Sequence, residues 1–334
     1  MDIPGLCKVD NSNIEEILKG KINSQWPVVK NSENFPGPQP ISLELKDTHK
    51  LLRYDYYVCE KTDGLRYMLY GTNIYNTNRV FLIDRSFRFY QVDGLVFDDN
   101  FYNESIVDGE MIETTNGLRY YCHDCICLAG VNVAKSPLDI RIEFISRCVK
   151  DLYKSTTNFS IHIKPFWNFK DFDKYLENHY SITDHKVDGI ILTPVKLPVC
   201  TGTQMSMFKW KDKHTFDFAV SWKITTQRRI KYDLYVSDKS KHVKFESINS
   251  RTPKGGKFDK LFKNIFCNGG DLNECNKKVI LECSYIDDNY IPILIRYDKL
   301  YPNSIHTVNK THLNILEDIK LEFLLKLSQE NNIV

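Results

Sequence analysis

A run dense in aromatic and β-branched side chains over residues 54–60 ends at Lys61, and a second such run over 65–70 follows directly after Asp63-Gly64. Strand, charged residue, tight turn, strand: this order predicts a sheet with Lys61 at its rim. The same alphabet recurs along the chain. Runs over 80–84, 87–92, 105–107, 120–128, 161–166, 189–193 and 207–210 read as strands, and 140–152 and 169–178 carry helical periodicity. A short helix around 14–18, capped by Asn11 or Ser12, opens the chain. Past residue 218 the strands shorten (218–224, 232–236, 279–285, 291–297), with Gly255-Gly256 and Gly269-Gly270 in the loops, the pattern of a small β-barrel. Leu316, Ile319, Phe323 and Leu327 mark an amphipathic helix over about 313–329 that needs a surface to cover. At 334 residues the chain exceeds one hydrophobic core, so two domains are expected, 1–217 joined by that last helix and 218–312.

No apolar run approaches the roughly 20 residues that span a bilayer, and Met1-Asp2-Ile3-Pro4-Gly5 lacks a basic flank before an apolar stretch, so neither membrane insertion nor secretion is expected. Ten cysteines without paired spacing suggest reduced thiols. Cys122-His123-Asp124-Cys125-Ile126-Cys127 has the look of a metal site but no second ligand pair at short spacing, since Cys267, Cys275 and Cys283 lie eight apart. The net charge of +2 is uneven. Between Lys223 and Lys263 twelve Lys and Arg face four acids, a local +8 that leaves −6 for the rest, and this segment is a candidate phosphate-tracking surface.

A free lysine amine has a pKa near 10.4, so only about one in a few thousand is unprotonated at pH 7, and a nucleophilic lysine needs neighbours that lower it. Lys61 is read as such a nucleophile. Four Asp-Gly pairs, at 63, 93, 108 and 188, each read as a turn when taken alone. Three sit among charged groups at strand ends: Asp63-Gly64 between Lys61 and Arg66, Asp108-Gly109 before Glu110, Asp188-Gly189 before an apolar strand. Lys209 and Lys211, two apart on a strand, share a face, as do Arg296 and Asp298, with Lys299 on the adjoining turn.

In order, Lys61-Thr62-Asp63-Gly64-Leu65-Arg66, Asp108-Gly109-Glu110, Asp188-Gly189-Ile190-Ile191, Lys209-Trp210-Lys211 and Arg296-Tyr297-Asp298-Lys299 resemble the motif series of the covalent nucleotidyltransferase superfamily, which holds mRNA capping enzymes and ATP-dependent DNA and RNA ligases. The resemblance runs from about Phe35 to Asn303. Three segments are similar to the mRNA guanylyltransferases in particular: Phe35-Pro36-Gly37-Pro38-Gln39-Pro40, Lys209-Trp210-Lys211 leading to Thr215-Phe216-Asp217-Phe218, and Arg296-Tyr297-Asp298-Lys299 with Pro302-Asn303.

The resemblance implies an α+β fold: a ligase-type, ATP-grasp-like nucleotidyltransferase domain of antiparallel sheets with helices, and a C-terminal OB-fold barrel. It implies that Lys61 attacks the GTP α-phosphate to form lysyl-GMP, releasing pyrophosphate, and that GMP then passes to the 5′-diphosphate end of RNA as the cap. Lys209 and Lys211 match α-phosphate contacts, and Asp188 matches the acid near the lysine and a Mg²⁺ or Mn²⁺ ion. Arg66 and Glu110 match the ribose contacts, with Asp63 in the same motif. Arg85 matches another nucleotide contact, and Lys164, in Lys164-Pro165-Phe166, the lysine that reads guanine. Arg296, Asp298 and Lys299 match a group that closes on the β and γ phosphates. Where the family has an aromatic stacking on the base, this chain has His123, and Leu294 stands where an arginine is frequent. No His-Cys-x5-Arg loop is present, so a separate RNA triphosphatase is implied, and a phosphorylated RNA polymerase II tail is a further implied partner. The compartment implied is the nucleus for a cellular protein and the cytoplasm for a viral one. Two rivals remain: an ATP-dependent polynucleotide ligase with a lysyl-AMP intermediate, and an inactive RNA-binding or scaffold homologue.

Overall fold

The computed structural model describes residues 3–26, 35–156, 159–227, 230–239, 241–250, 252–267, 278–297 and 299–330. The chain divides into two compact units, Met1–Asp212 with Lys320–Val334, and Lys213–Ile319. Both are α+β, built mainly on antiparallel sheets.

In the first unit two large sheets share the work. One orders Leu6–Lys8, Phe89–Val92, Thr77–Ile83, Leu65–Ile74, Ser105–Thr114, Gly117–Leu128 and Val131–Asn132, with Ser160–Ile163 added parallel to Gly117–Leu128. The other orders Trp167–Asn168, Tyr56–Thr62, Val187–Pro194, Thr203–Trp210 and Gln39–Ser42. Both faces of the larger sheet are covered, as its near-continuous apolar strands require. Leu69, Val107, Cys125 and Phe101 fill one side, and Met68, Phe81, Ile106 and Ile126 fill the other against Leu18 and Ile22 of the helix Ser12–Gln25. Asn11 caps that helix by accepting from the backbone N–H groups of Asn13 and Ile14.

Of the four Asp-Gly pairs, Asp93-Gly94 is the expected turn, between Phe89–Val92 and Leu95–Phe97, and the other three depart from it. Asp108-Gly109 lies inside the strand Ser105–Thr114 and Asp188-Gly189 inside Val187–Pro194. Asp63-Gly64 does join two strands, but these pair in different sheets: Tyr56–Thr62 with Val187–Pro194, and Leu65–Ile74 with Ser105–Thr114. It is the crossing point between sheets. A Cβ on Gly64 would lie 2.4 Å from the Met111 carbonyl oxygen, so the crossing is too close for any other residue.

The second unit is one five-stranded antiparallel sheet, ordered Lys241–Asn249, Ile230–Asp238, Thr215–Ile224, Val279–Ile286, Asn289–Ile295, with the helix Pro253–Cys267 inserted between its third and fourth strands. Phe258 and Phe262 of that helix pack on Tyr232 and Trp222. Among the described residues the two edge strands are not paired with each other, so the sheet is observed open. Of the twelve cations between Lys223 and Lys263, Arg228, Arg229 and Arg251 lie outside the described residues, and Lys244 is paired with Asp233 at 2.8 Å.

The single terminal helix expected over 313–329 is two. Ile305–Glu317 belongs to the second unit, its Val308 buried in that core, and Leu321–Glu330 belongs to the first, against Thr48–Arg53 and Phe172–Asn178. Asp318 breaks them with a left-handed backbone, φ 43°. The periodicity was misleading at its start: Leu316 is exposed, and Leu324, Leu327 and Ser328 form the buried face.

Candidate active site

Lys61 is the next-to-last residue of Tyr56–Thr62, and the partner strand opposite it is irregular. Val187 pairs with Thr62 and Ile190 with Glu60, so Asp188 and Gly189 together face Lys61 alone. This bulge turns the Asp188 carboxylate to the lysine, with Nζ 2.6 Å from Oδ2. Gly189 makes it possible: its φ of +138° and the 1.9 Å that would separate a Cβ from the Trp210 carbonyl oxygen exclude a side chain. Lys211, just past the end of Thr203–Trp210, places its Nζ 2.5 Å from the same Asp188 oxygen.

Lys209 lies on the next strand, opposite Ile191. Burial, then the charges of Lys211, Lys61 and Arg85, lower its pKa to about 8, Asp188 opposing. Burial alone would raise the Asp188 pKa, but Lys211 and Lys61 hold it below the usual carboxylate value. Three lysines around one carboxylate leave surplus positive charge, an environment suited to a phosphate.

Thr62 turns to the other side of the crossing. Its hydroxyl donates to Glu110 Oε2 and accepts from Lys164 Nζ at 3.0 Å, with Lys164 also 3.8 Å from Glu110. Lys164 is nearly buried and is held at the end of Ser160–Ile163 by its backbone N–H donating to the Cys122 carbonyl. Glu110, Lys164 and Lys61 are thereby linked through a residue the sequence reading passed over.

Arg66 is more tightly held than a ligand contact alone would require. Its Nε donates to Asp108 Oδ1 at 3.0 Å, its Nη2 to Asp108 Oδ2, and its Nη1 to the Pro38 carbonyl at 2.6 Å, while the Phe35 ring centroid lies 5.2 Å from the guanidinium carbon. The Pro-rich segment thus anchors the arginine. Asp108, fully buried, is the pivot: His123 Nε2 also lies 3.5 Å from its Oδ1. Burial, with Arg66 and Lys164, lowers the His123 pKa against the pull of Asp108, so the ring is neutral near pH 7. Arg85 is exposed just after Thr77–Ile83, its charge acting on Arg66, Glu110 and Asp108. Asp63 donates its backbone N–H to the Lys186 carbonyl. Asp124, next to His123, is held by a buried ion pair with Arg141 at 2.6 Å, and among the described residues no cluster of three His, Cys, Asp or Glu is arranged to hold a metal.

In the second unit, Asp217 gathers the predicted cations. Lys299 Nζ donates to its Oδ2, Arg296 Nη1 lies 3.4 Å from its Oδ1 and 3.0 Å from Glu282 Oε2, and Asn303 Oδ1 accepts from its backbone N–H. Asp298 lies outside the described residues.

Residues 1–213 match the family model described as mRNA capping enzyme, catalytic domain. The chain belongs to that family. This capping-enzyme family member is 31% identical over 259 residues to the mRNA-capping enzyme subunit alpha of Saccharomyces cerevisiae, covering 65% of this chain and 54% of that protein. It is 26% identical over 324 residues to the subunit of the same name from Schizosaccharomyces pombe (88% and 80%), and 26% over 333 residues to the mRNA-capping enzyme of Danio rerio (92% and 51%). The chain spans about half the length of the budding-yeast and zebrafish relatives. Among solved structures it aligns with a mycobacterial DNA ligase D complexed with ATP and MES, at TM-score 0.42 and 10% identity, over 81% of this chain and 97% of that one.

Proposed function

We propose that this protein is an mRNA guanylyltransferase, which takes GMP from GTP onto Lys61 and hands it to the 5′-diphosphate end of RNA. The observation that carries the reading is the pairing of Lys61 and Lys211 on one Asp188 oxygen beside the depressed Lys209, in a chain of the capping-enzyme family. In the first step the Lys61 nitrogen attacks the α-phosphorus, a P–N bond forms, the α–β P–O bond breaks, and pyrophosphate leaves. Asp188 Oδ2 orients the amine, and the proton released passes to solvent, because a carboxylate held below its usual value is a poor base. Lys209 and Lys211 stabilise charge on the α-phosphate, which is most of what such a transfer asks of a protein.

One carboxylate with substrate phosphates fits a hard divalent ion such as Mg²⁺ or Mn²⁺, which rarely needs a full protein cage, and Asp188 is the residue that would hold it. Such an ion supplies charge neutralisation on the leaving phosphates. Glu110 and Lys164, joined through Thr62, form the polar wall we assign to ribose and guanine, and neutral His123 the face beside the base. Arg66 contributes through its Asp108-fixed position, with Arg85 and Asp63 at the same mouth. Arg296, Asp298 and Lys299 we assign to the β and γ phosphates, on a 213–319 unit whose strand order and inserted helix are compatible with an OB-fold. A separate RNA triphosphatase and the polymerase tail remain partners of this proposal, with the nucleus as its cellular compartment.

The test is incubation with GTP or ATP labelled at the α-phosphate, with Mg²⁺ or Mn²⁺, followed by denaturation. Label from GTP that is absent in Lys61→Ala is expected. Label from ATP alone would assign the ligase chemistry instead, and no label from either would assign the inactive homologue.

A further inference from the structure

Glu60 precedes Lys61 and is completely buried, so its charge needs partners within the protein. It finds them on the segment that delivers Asp188. His179, the cap of the helix Phe172–Asn178, lies against Glu60 Oε2 through its Nε2. His185, its side chain 4% exposed, places Nε2 3.3 Å from Glu60 Oε1, an ion-pair distance without hydrogen-bond alignment. Its Nδ1 lies 3.0 Å from Asp184, which pairs with Arg119 of Gly117–Leu128 at 2.8 Å. The Asp63 N–H donates to the Lys186 carbonyl at 3.1 Å, so the backbone fastens at the same place. The run between that helix and Asp188 is therefore held at three points, 179 and 185 to Glu60 of the Lys61 strand and 186 to Asp63 just past its end.

We propose that Glu60, His179 and His185 form a clasp that positions Asp188 against Lys61, and that its grip loosens when His185 loses its proton. These are positioning residues, and their link to nucleotidyl transfer rests on the function proposed for Lys61.

Glu60 also meets Lys164 beyond the strand Ser160–Ile163, Cys59 on its own strand and Tyr175 of the helix. His185 meets Asp184 and, at 5.7 Å between ring centroids, Tyr121, which in turn lies 5.6 Å from His162. Burial alone would raise the Glu60 pKa, but the His179 and His185 contacts together bring it to about 2, so Glu60 stays charged through the neutral range. Glu60 first, then Asp184, raises the His185 pKa against its burial. A raised histidine value means that the interaction is fully present below the ordinary pKa of about 6.5 and is lost as pH rises through the raised one.

Hydrogen exchange followed by mass spectrometry reads the clasp without any nucleotide. In His185→Gln, amides at 61–63 and 179–188 should exchange about tenfold faster than in the full-length wild type near pH 6, and the gap should close by about pH 9 as wild-type protection falls. Labelling by GTP at about pH 6 should slow by roughly tenfold in the variant with little change in nucleotide affinity, the mark of misplacement and not of lost binding. Exchange equal in the two proteins near pH 6, or a gap of the same size at both pH values, overturns the proposal. Should the variant not fold, wild-type protection at 179–188 that stays constant from about pH 6 to 9, after correction for intrinsic exchange, overturns it alone. Should exchange behave as expected while the wild type takes no label, the clasp stands and the function proposed for Lys61 falls.

Discussion

Replacing Asp108 by alanine tests whether the site rests on a buried charge pair. The carboxylate is fully buried, and Arg66, 8% exposed, spends two of its donors on it. Removing a buried partner leaves the other charge uncompensated, which typically costs about 3–5 kcal/mol. Arg66 keeps the Pro38 carbonyl and the Phe35 ring, so the lower end, about 3 kcal/mol, is the expectation. For a unit of this size that is a fall of roughly 6–12 °C in melting temperature. Scanning calorimetry of the transition belonging to residues 1–212 measures it, with hydrogen exchange at 65–71 and 105–111 to assign the transition.

The decisive arm is the double variant Asp108→Ala with Arg66→Met, which removes the orphaned charge. Coupling of more than about 1 kcal/mol in the cycle, with the double variant more stable than Asp108→Ala, is expected. Additive losses, or a single loss under about 1 kcal/mol, would refute the reasoning, because Arg66 would then be finding water or another partner. The pH dependence has a fixed sign. Burial would raise the Asp108 pKa, but Arg66, with His123 behind it, holds it below the ordinary value. Its stabilisation is therefore present above the unfolded carboxylate pKa of about 3.9 and disappears as pH falls through the lowered folded value.

Gly189→Ala should cut covalent labelling of Lys61 by about a hundredfold or more, since the Cβ must push Trp210 away and Asp188 moves with the bulge; label at the wild-type rate would disprove the placement. With Lys209 lowered to about 8, its positive charge is lost as pH rises through that value, so affinity for the nucleotide triphosphate should fall above about pH 8 in the wild type and stay level in Lys209→Arg, measured by calorimetric titration. Asp217→Ala should lower the stability of the 213–319 unit by about 1–3 kcal/mol in denaturant melts, because Asp217 is buried and holds Lys299, Arg296 and Asn303 together.

How far the sequence could be read follows the range of the interactions. The strands around Lys61 and a sharp bend at Asp63-Gly64 are legible because apolar alternation and a glycine between charged residues are local signals, whereas the change of sheet across that bend is set by distant partner strands. The partner of a buried charge is not local. Arg66 and Glu110 stood out beside their motifs, whereas Asp108, the residue that fixes Arg66, looked like part of a turn, and Thr62, which joins Glu110 to Lys164, carries no charge to notice. One signal was available: Asp108 follows the apolar pair Ile106 and Val107, and a carboxylate in a buried strand must have a cation near it. The terminal helices failed for the opposite reason, because residues 313–329 hold a plausible helical period across a break that only Asp318 marks.

The bulge at Asp188-Gly189 shows why the order of motifs carries more than any motif alone. Lys61 and Asp188 are 127 positions apart, and a regular ladder would alternate residues 187, 188 and 189 against 62, 61 and 60 with the carboxylate committed to whichever face the register assigned. The extra residue frees Asp188 from that alternation, and the glycine beside it lets the Trp210 backbone approach, which brings Lys211 to the same oxygen. One irregularity therefore sets both distances, 2.6 Å from Lys61 and 2.5 Å from Lys211. The two lysines are consequently not independent: a change that straightens the strand must release both at once, whereas a side-chain change at Lys211 alone leaves Lys61 with its carboxylate. Glu60, on the far side of Lys61 from Thr62, holds the segment leading into the bulge through a nearly buried His185 side chain and a partly exposed His179, so these contacts bear on the same break in register.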